Sequence, residues 1–266
     1  MFDSHCHLNF PELKDTLVSD INQCISAGIH QWMVPGTSLS SLTEFQELTT
    51  LTSNFLLTPA EVHLNLYFSL GLHPYFIQQH KKNDILLLET QIIETQTSTF
   101  KIQAIGEAGL DATCENHPLQ IFLLERHFEL ANTFNLPIIL HHRKSLPDLL
   151  KIAKRFPSVK GVIHAFSGSY EQAKQWVDLG YYLGVGGTIT YERAIKTKQA
   201  LQRIDLKHLL IETDAPSMPI SGKQGYINNP INLIEVAKSL AGLKSVPLDD
   251  VDHQCTINAQ TLFGKI

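Results

Sequence analysis

The sequence predicts an α/β fold, a single (β/α)8 TIM barrel over residues 1–266, and three observations carry that expectation. Eight short apolar or β-prone runs recur along the 266 residues, helix-sized intervals separate them, and no Pro-, Gly- or Ser-rich linker divides the chain. Several runs are apolar at consecutive positions. Strands covered on both faces, as in a parallel sheet wrapped by helices, require that pattern. A doubly wound open sheet is the rival arrangement. The glycines at 184, 186 and 187 lack the spacing of a dinucleotide fingerprint, which weakens the version of that rival that binds NAD.

In chain order the first run is 1–4, and Leu13, Leu17, Ile21, Cys24 and Ile25 then share one helical face. Runs at 31–34, 67–70 and 102–105 follow. Leu119, Phe122, Leu123, Leu130 and Phe134 form a second helical stripe. The remaining runs are 137–140, 161–163, 181–185 and 209–211, followed by a helical stripe of Ile231, Ile234, Ala237, Leu240 and Ala241.

Composition narrows the function classes. With 43% hydrophobic and 18% charged residues the chain is globular, and 15 Gly and 12 Pro are too few for a collagen-like or low-complexity polymer. A net charge of -5 argues against a protein that coats nucleic acid non-specifically, though not against a local phosphate site. Cys6, Cys24, Cys114 and Cys255 read as reduced thiols in a chain long enough to build its core without staples. No run suits a membrane span, and the first residues, MFDSHCHL, do not resemble a secretion signal. A cytoplasmic location without an obligate protein partner is the expectation.

Polar residues stand at or just beyond the ends of these runs, where a barrel places its active site. His5 and His7 follow the first run, His73 the third, Glu107 the fourth, His141 the fifth, His164 the sixth and Asp214 the eighth. Side chains two apart on a strand project together, so His5 and His7 form a chelating pair while Cys6 faces the other way. Strand direction allows only one of His141 and His142 to face inward; His141, directly after the apolar run, is the choice. Glu212 and Asp214 would share a face, and strand-end position favours Asp214. Asp111 reads as a loop or cap residue. Imidazoles and carboxylates gathered at the strand ends exceed what one catalytic zinc needs. They suit two divalent ions bridged by a carboxylate, a binuclear site at the C-terminal face.

These residues lie in a set of motifs: DSHCHL at 3–8, GLHP at 71–74, IGEAGLD at 105–111, PIILHHRKS at 137–145, GVIHAFSGS at 161–169 and LLIETDAPSMP at 209–219. Together they resemble the TatD family of metal-dependent hydrolases, within the amidohydrolase superfamily, over essentially the whole chain. The runs at 184–194 and 214–230 look like its YjjV-like branch. The resemblance implies that His5, His7 and Asp214 hold one metal, that His141 and His164 hold the second, and that Glu107 bridges them. It also implies that His73 and Arg143 fall in the substrate region. Tyr75, His142 and Asn228-Asn229-Pro230 depart from the family's pattern.

The expected chemistry is hydrolysis by an activated water. The cofactors would be two divalent metal ions, Mg2+, Mn2+ or Zn2+, and Asp214 would accept the water proton. Arg143 and Lys223 are candidate phosphate contacts. The resemblance favours a deoxyribonuclease trimming single-stranded DNA or DNA ends in the 3′ to 5′ sense. A small-molecule amide, ester or lactone hydrolase is the alternative. An aromatic platform at the mouth, from Phe166, Tyr75 or Tyr191, would favour nucleic acid. A metal-binding scaffold without turnover would be expected to have lost a metal ligand, and none is missing.

Overall fold

The chain follows the expected alternation in a computed structural model that describes residues 1–55, 64–98 and 100–264. Strands β1 (Phe2–Asp3), β2 (Gln31–Pro35), β3 (Asn65–Leu70), β4 (Ala104–Asp111), β5 (Ile138–Arg143), β6 (Gly161–Ile163), β7 (Tyr182–Val185) and β8 (Leu209–Ile211) pair in parallel, each with its sequence neighbour. Beyond β1 and β8 the seam is drawn together by three backbone bonds, one of them from His7 N–H to the Ala215 carbonyl at 2.8 Å. Ser4 N–H donates to the Ile211 carbonyl at 2.9 Å and Asp214 N–H to the His5 carbonyl at 2.9 Å. The result is a TIM barrel.

Helices α1 (Leu17–Ser26), α2 (Ser41–Phe55), α3 (Asp84–Thr97), α4 (His117–Phe134), α5 (Leu146–Ala153), α6 (Tyr170–Asp178), α7 (Ile195–Arg203) and α8 (Leu233–Lys244) follow the strands. Their buried stripes match the 3.6-residue period. Leu17, Ile21 and Cys24 point inward from α1, and Leu233, Val236, Ala237, Leu240 and Ala241 from α8. The capping box at α6, where Ser169 and Gln172 exchange bonds, ends the strand-to-helix turn after β6 cleanly.

A ninth helix, α9 (Leu248–Phe263), has no strand before it. Ala259, Leu262 and Phe263 pack against Phe2, Met33, Ala104, Ile139, Val162 and Leu210, with Tyr67 and Tyr182 alongside. That is one inward residue from each of the eight strands. The helix therefore stoppers the N-terminal end of the barrel. One step further up, two residues along each strand, the positions are Ser4, Pro35, Ser69, Gly106 and Gly184, together with His141, His164 and Glu212. Small residues leave room for large polar ones. A Cβ on Gly184 would lie 2.3 Å from Glu212 Oε2.

β4 differs most from the sequence expectation. It begins at Ala104 and continues to Asp111, so Glu107 lies within the strand and not at its end. The reason is a shift of register against β5 between Ile105 and Ala108, accommodated by glycines that make the segment read as a loop. Gly106 has φ of 128°, and a Cβ on Gly109 would lie 2.0 Å from the His141 carbonyl oxygen. β5 likewise runs on through His141 and His142 to Arg143. The four cysteines are free thiols, and no helix among the described residues is long and apolar enough to cross a membrane.

Candidate metal centre

Glu107 organises the site. Its carboxylate is buried, and its two oxygens face different imidazoles. Oε2 lies 2.9 Å from His5 Nε2 and 3.7 Å from His7 Nε2, while Oε1 lies 3.0 Å from His73 Nε2 and 3.1 Å from His141 Nδ1. Asp214 closes the first side, with Oδ1 3.4 Å from His7 Nε2, 3.7 Å from His5 Nε2 and 3.7 Å from His164 Nε2. The rings of His5 and His164 stack at 3.6 Å. Three triads of ligand atoms result: His5, His164 and Asp214; His5, His7 and Glu107; His73, Glu107 and His141.

These groups fit divalent cations. Two ligand atoms each about 2.1 Å from one ion, at octahedral to tetrahedral angles, stand about 3.0–3.5 Å apart, close to the separations found around Glu107. Glu107 Oε2 has no hydrogen bond of acceptable geometry although His5 Nε2 is at 2.9 Å. Lone pairs that converge without a shared proton, on side chains this deeply buried, call for a cation. The donor set of imidazole nitrogen and carboxylate oxygen is that of transition metals and zinc, with oxygen enough for magnesium or manganese.

Electrostatics favour ionised carboxylates and a neutral His73, and set His164 apart. Burial opposes ionisation of Glu107, but His73, His5, His164 and His141 together outweigh it and hold the carboxyl well below its ordinary value. Asp214 is likewise lowered against burial, by His164, His7 and His5. Burial lowers His73 to about 4, so this ring is neutral at physiological pH and has lone pairs to offer. His164 is opposite in sense: against burial, Glu212, Asp214 and Glu107 raise it to about 10.

A second tier of buried polar groups holds the first in place. Glu212 Oε1 lies 2.8 Å from His164 Nδ1 and accepts the Ala165 N–H at 2.6 Å, fixing the face that His164 presents to Asp214. Asp3 accepts from Thr213 N–H at 3.0 Å and from Thr213 Oγ1 at 2.6 Å. It thereby anchors the residue before Asp214, whose backbone turns through φ of 56°. Asp111 Oδ2 stands 3.6 Å from His141 Nε2, and Gln120 of α4 grips the Asp111 backbone through N–H and C=O at 2.8 and 3.1 Å. His127, also on α4, donates from Nδ1 to the Leu123 carbonyl and accepts the Leu72 N–H at Nε2, at 2.7 and 3.0 Å. That bond ties down the loop carrying His73.

The site residues singled out in the sequence are distributed as follows. His5, His7, Glu107, His141, His164 and Asp214 converge in one cluster. His73, expected in the substrate region, lies among them against Glu107 Oε1. His164 sits on the His5 and Asp214 side, its ring centroid 6.5 Å from that of His141. Arg143 lines the mouth, whereas Lys223 is absent from the cavity lining and donates to Asn232 Oδ1 at 2.8 Å. Of the three aromatics, Tyr75 is exposed at the mouth, Phe166 is buried and Tyr191 stands in an adjoining recess. Asp3, Glu212 and His127 support the site without standing among the residues that the sequence singles out for it. Only Glu212 gave a signal, by sharing a strand face with Asp214.

The cluster forms the floor of an open cavity of about 1090 Å3 whose rim includes Phe10, Tyr75, Arg143 and Lys144. A model of the TatD-related DNases matches residues 2–264. The chain belongs to the TatD family. A metal-dependent hydrolase of Haemophilus influenzae is 38% identical, with 99% of each chain covered. The metal-dependent hydrolase YjjV of Escherichia coli is 36% identical, over 98% of this chain and 97% of its own. The crystal structure of that TatD homologue superposes with a TM-score of 0.87 at 34% identity, covering 100% of this chain and 98% of the other. The TatD barrel described above is accordingly that of a metal-dependent hydrolase.

Proposed function

We propose that this TatD protein is a deoxyribonuclease that hydrolyses phosphodiester bonds at single-stranded DNA ends with two divalent cations. The observation that carries this reading is the division of Glu107, one oxygen toward His5 and His7 and the other toward His73 and His141, which suits a carboxylate shared by two ions. His5, His7 and Asp214, with His164 beside them, would hold one ion, and His73 and His141 the other. When bound, the cations would supply Lewis acidity and make water nucleophilic at neutral pH.

The chain's own residues do the rest. Asp214, ionised and lining the cavity, accepts the water proton at its carboxylate. Glu212 keeps His164 oriented while charge shifts at Asp214. Arg143 and Lys144, exposed at the rim, draw the phosphate oxygens toward the floor, and Arg143 can do so with paired N–H bonds. Tyr75, set edge-on to Phe76 at 5.2 Å, presents an exposed ring on which a terminal base can stack. The enclosed floor favours a threaded end over a continuous duplex.

The test is to strip the protein with chelator and resupply Mg2+, Mn2+ or Zn2+. Single-stranded DNA blocked at either end is then compared with a panel of small esters, lactones and amides. Metal-dependent loss of DNA that one end-block abolishes is the expected result. Turnover of the small esters or amides with DNA intact would replace this reading with the small-molecule one.

A further inference from the structure

The main cavity does not end at the rim. Ser167, Thr188, Lys196 and Met218 line both it and a second recess of about 480 Å3, which extends past them to Tyr191 and Arg193. We infer that this recess is a second phosphate subsite, which takes the phosphate one nucleotide away from the bond being cut. The inference rests on the phosphodiesterase reading above and adds where the rest of the substrate lies.

Three features make the recess suited to an anion. Arg193 stacks its guanidinium on the Tyr191 ring, 4.8 Å from the centroid, and the ring is itself fixed by the bond from Tyr191 Oη to the Pro219 carbonyl at 2.7 Å. The ring supports the guanidinium, and no hydrogen bond to another described residue occupies its N–H groups. Neither Arg193 nor Lys196 forms an ion pair among the described residues, although Lys196 feels the exposed Glu171 carboxylate, so Arg193 is the freer of the two charges. The recess contributes two cations and no carboxylate among its lining residues. In a chain of net charge -5 that is a local inversion of sign. Ser167 and Thr188, at the junction of the two cavities, add hydroxyl donors between the floor and the recess. A planar cation beside a point charge matches the tetrahedral oxygens of a phosphate.

The proposal is tested with two chromogenic substrates, thymidine 3′-(4-nitrophenyl phosphate) and the same compound carrying a 5′-phosphate. In the wild-type protein the 5′-phosphate should lower KM about five- to tenfold, the worth of one or two exposed charge-assisted bonds. Arg193→Ala should bring the ratio of the two KM values close to one, and Lys196→Ala should lower it partway. Arg193→Lys, which keeps the charge and loses the fork, should retain an intermediate ratio. Binding of TpT and pTpT to the protein in chelator, followed by calorimetry, gives a readout independent of turnover. There too the 5′-phosphate should tighten binding in wild type and not in Arg193→Ala. If both substrates are cut and the ratio is one in wild type, the subsite is refuted and the phosphodiesterase reading stands. If neither is cut but pTpT binds more tightly through Arg193, the subsite stands and the reading of the reaction falls.

Discussion

Glu107 is a buried carboxylate whose neighbours are chiefly imidazoles, and its cost is set by what they converge on. Replacing it with Gln removes the carboxylate that faces both imidazole pairs while leaving shape and volume nearly intact. The expected outcome for Glu107→Gln is loss of the rise in melting temperature that Mn2+ or Zn2+ gives the wild type, together with a fall in hydrolysis of at least a hundredfold. Thermal melts with and without metal check it. Glu212 acts one bond further out. Glu212→Gln should weaken metal affinity by about ten- to a hundredfold through His164, measured by competition with a chelating dye. Such residues are poorly legible in sequence, because their partners are distant in the chain. Glu212 meets Ala165 across 47 positions and Asp3 meets Thr213 across 210. The histidines were legible because each stands at or just beyond the end of an apolar run, where strand geometry fixes the direction of those that follow directly.

At the scale of elements, the eight strands were readable because a doubly covered parallel strand is a continuous apolar run, whereas β4 was cut short by its own glycines. α9 has a clear helical period at Val251, Cys255, Ala259 and Leu262, but nothing in that period says that it seals a barrel. α4 links packing to function through His127. Burial lowers this ring to about 4, and it is held neutral between Leu123 and Leu72. Its folded value lies below the unfolded 6.5, so the unfolded chain takes up the extra proton between the two. The resulting stability is fully present above about pH 6.5 and is lost as pH falls toward 4, by about 3 kcal/mol in all. His127→Gln, which cannot titrate, should be less stable than wild type at pH 7. It should lose less on acidification, and denaturant titrations at pH 7 and pH 4.5 measure the difference.

For the whole molecule, the net charge is negative while Arg143 and Lys144 stand exposed at the mouth, and the distance over which each acts decides the outcome. At physiological salt the Debye length is about 8 Å, so a phosphate at the rim feels Arg143 and Lys144 more than the acidic surface elsewhere. Binding of single-stranded DNA should therefore be local, with few phosphates neutralised. A plot of log affinity against log salt should have a slope of about -1.5 to -3, shallower than for proteins that coat a strand, and fluorescence anisotropy across a salt series checks it.

The ligands of the metal centre are spread from His5 to Asp214, His5 and His7 together after the first strand and the others each on or after a different strand. A cation can find its full set of partners only after the last strand has been laid beside the first, so it arrives too late to guide folding. It should act as a lock, not a nucleus. Stopped-flow refolding in Mn2+ or Zn2+ should proceed at the metal-free rate, while unfolding in denaturant slows, so that divalent ions lengthen the lifetime of the barrel without hastening its birth.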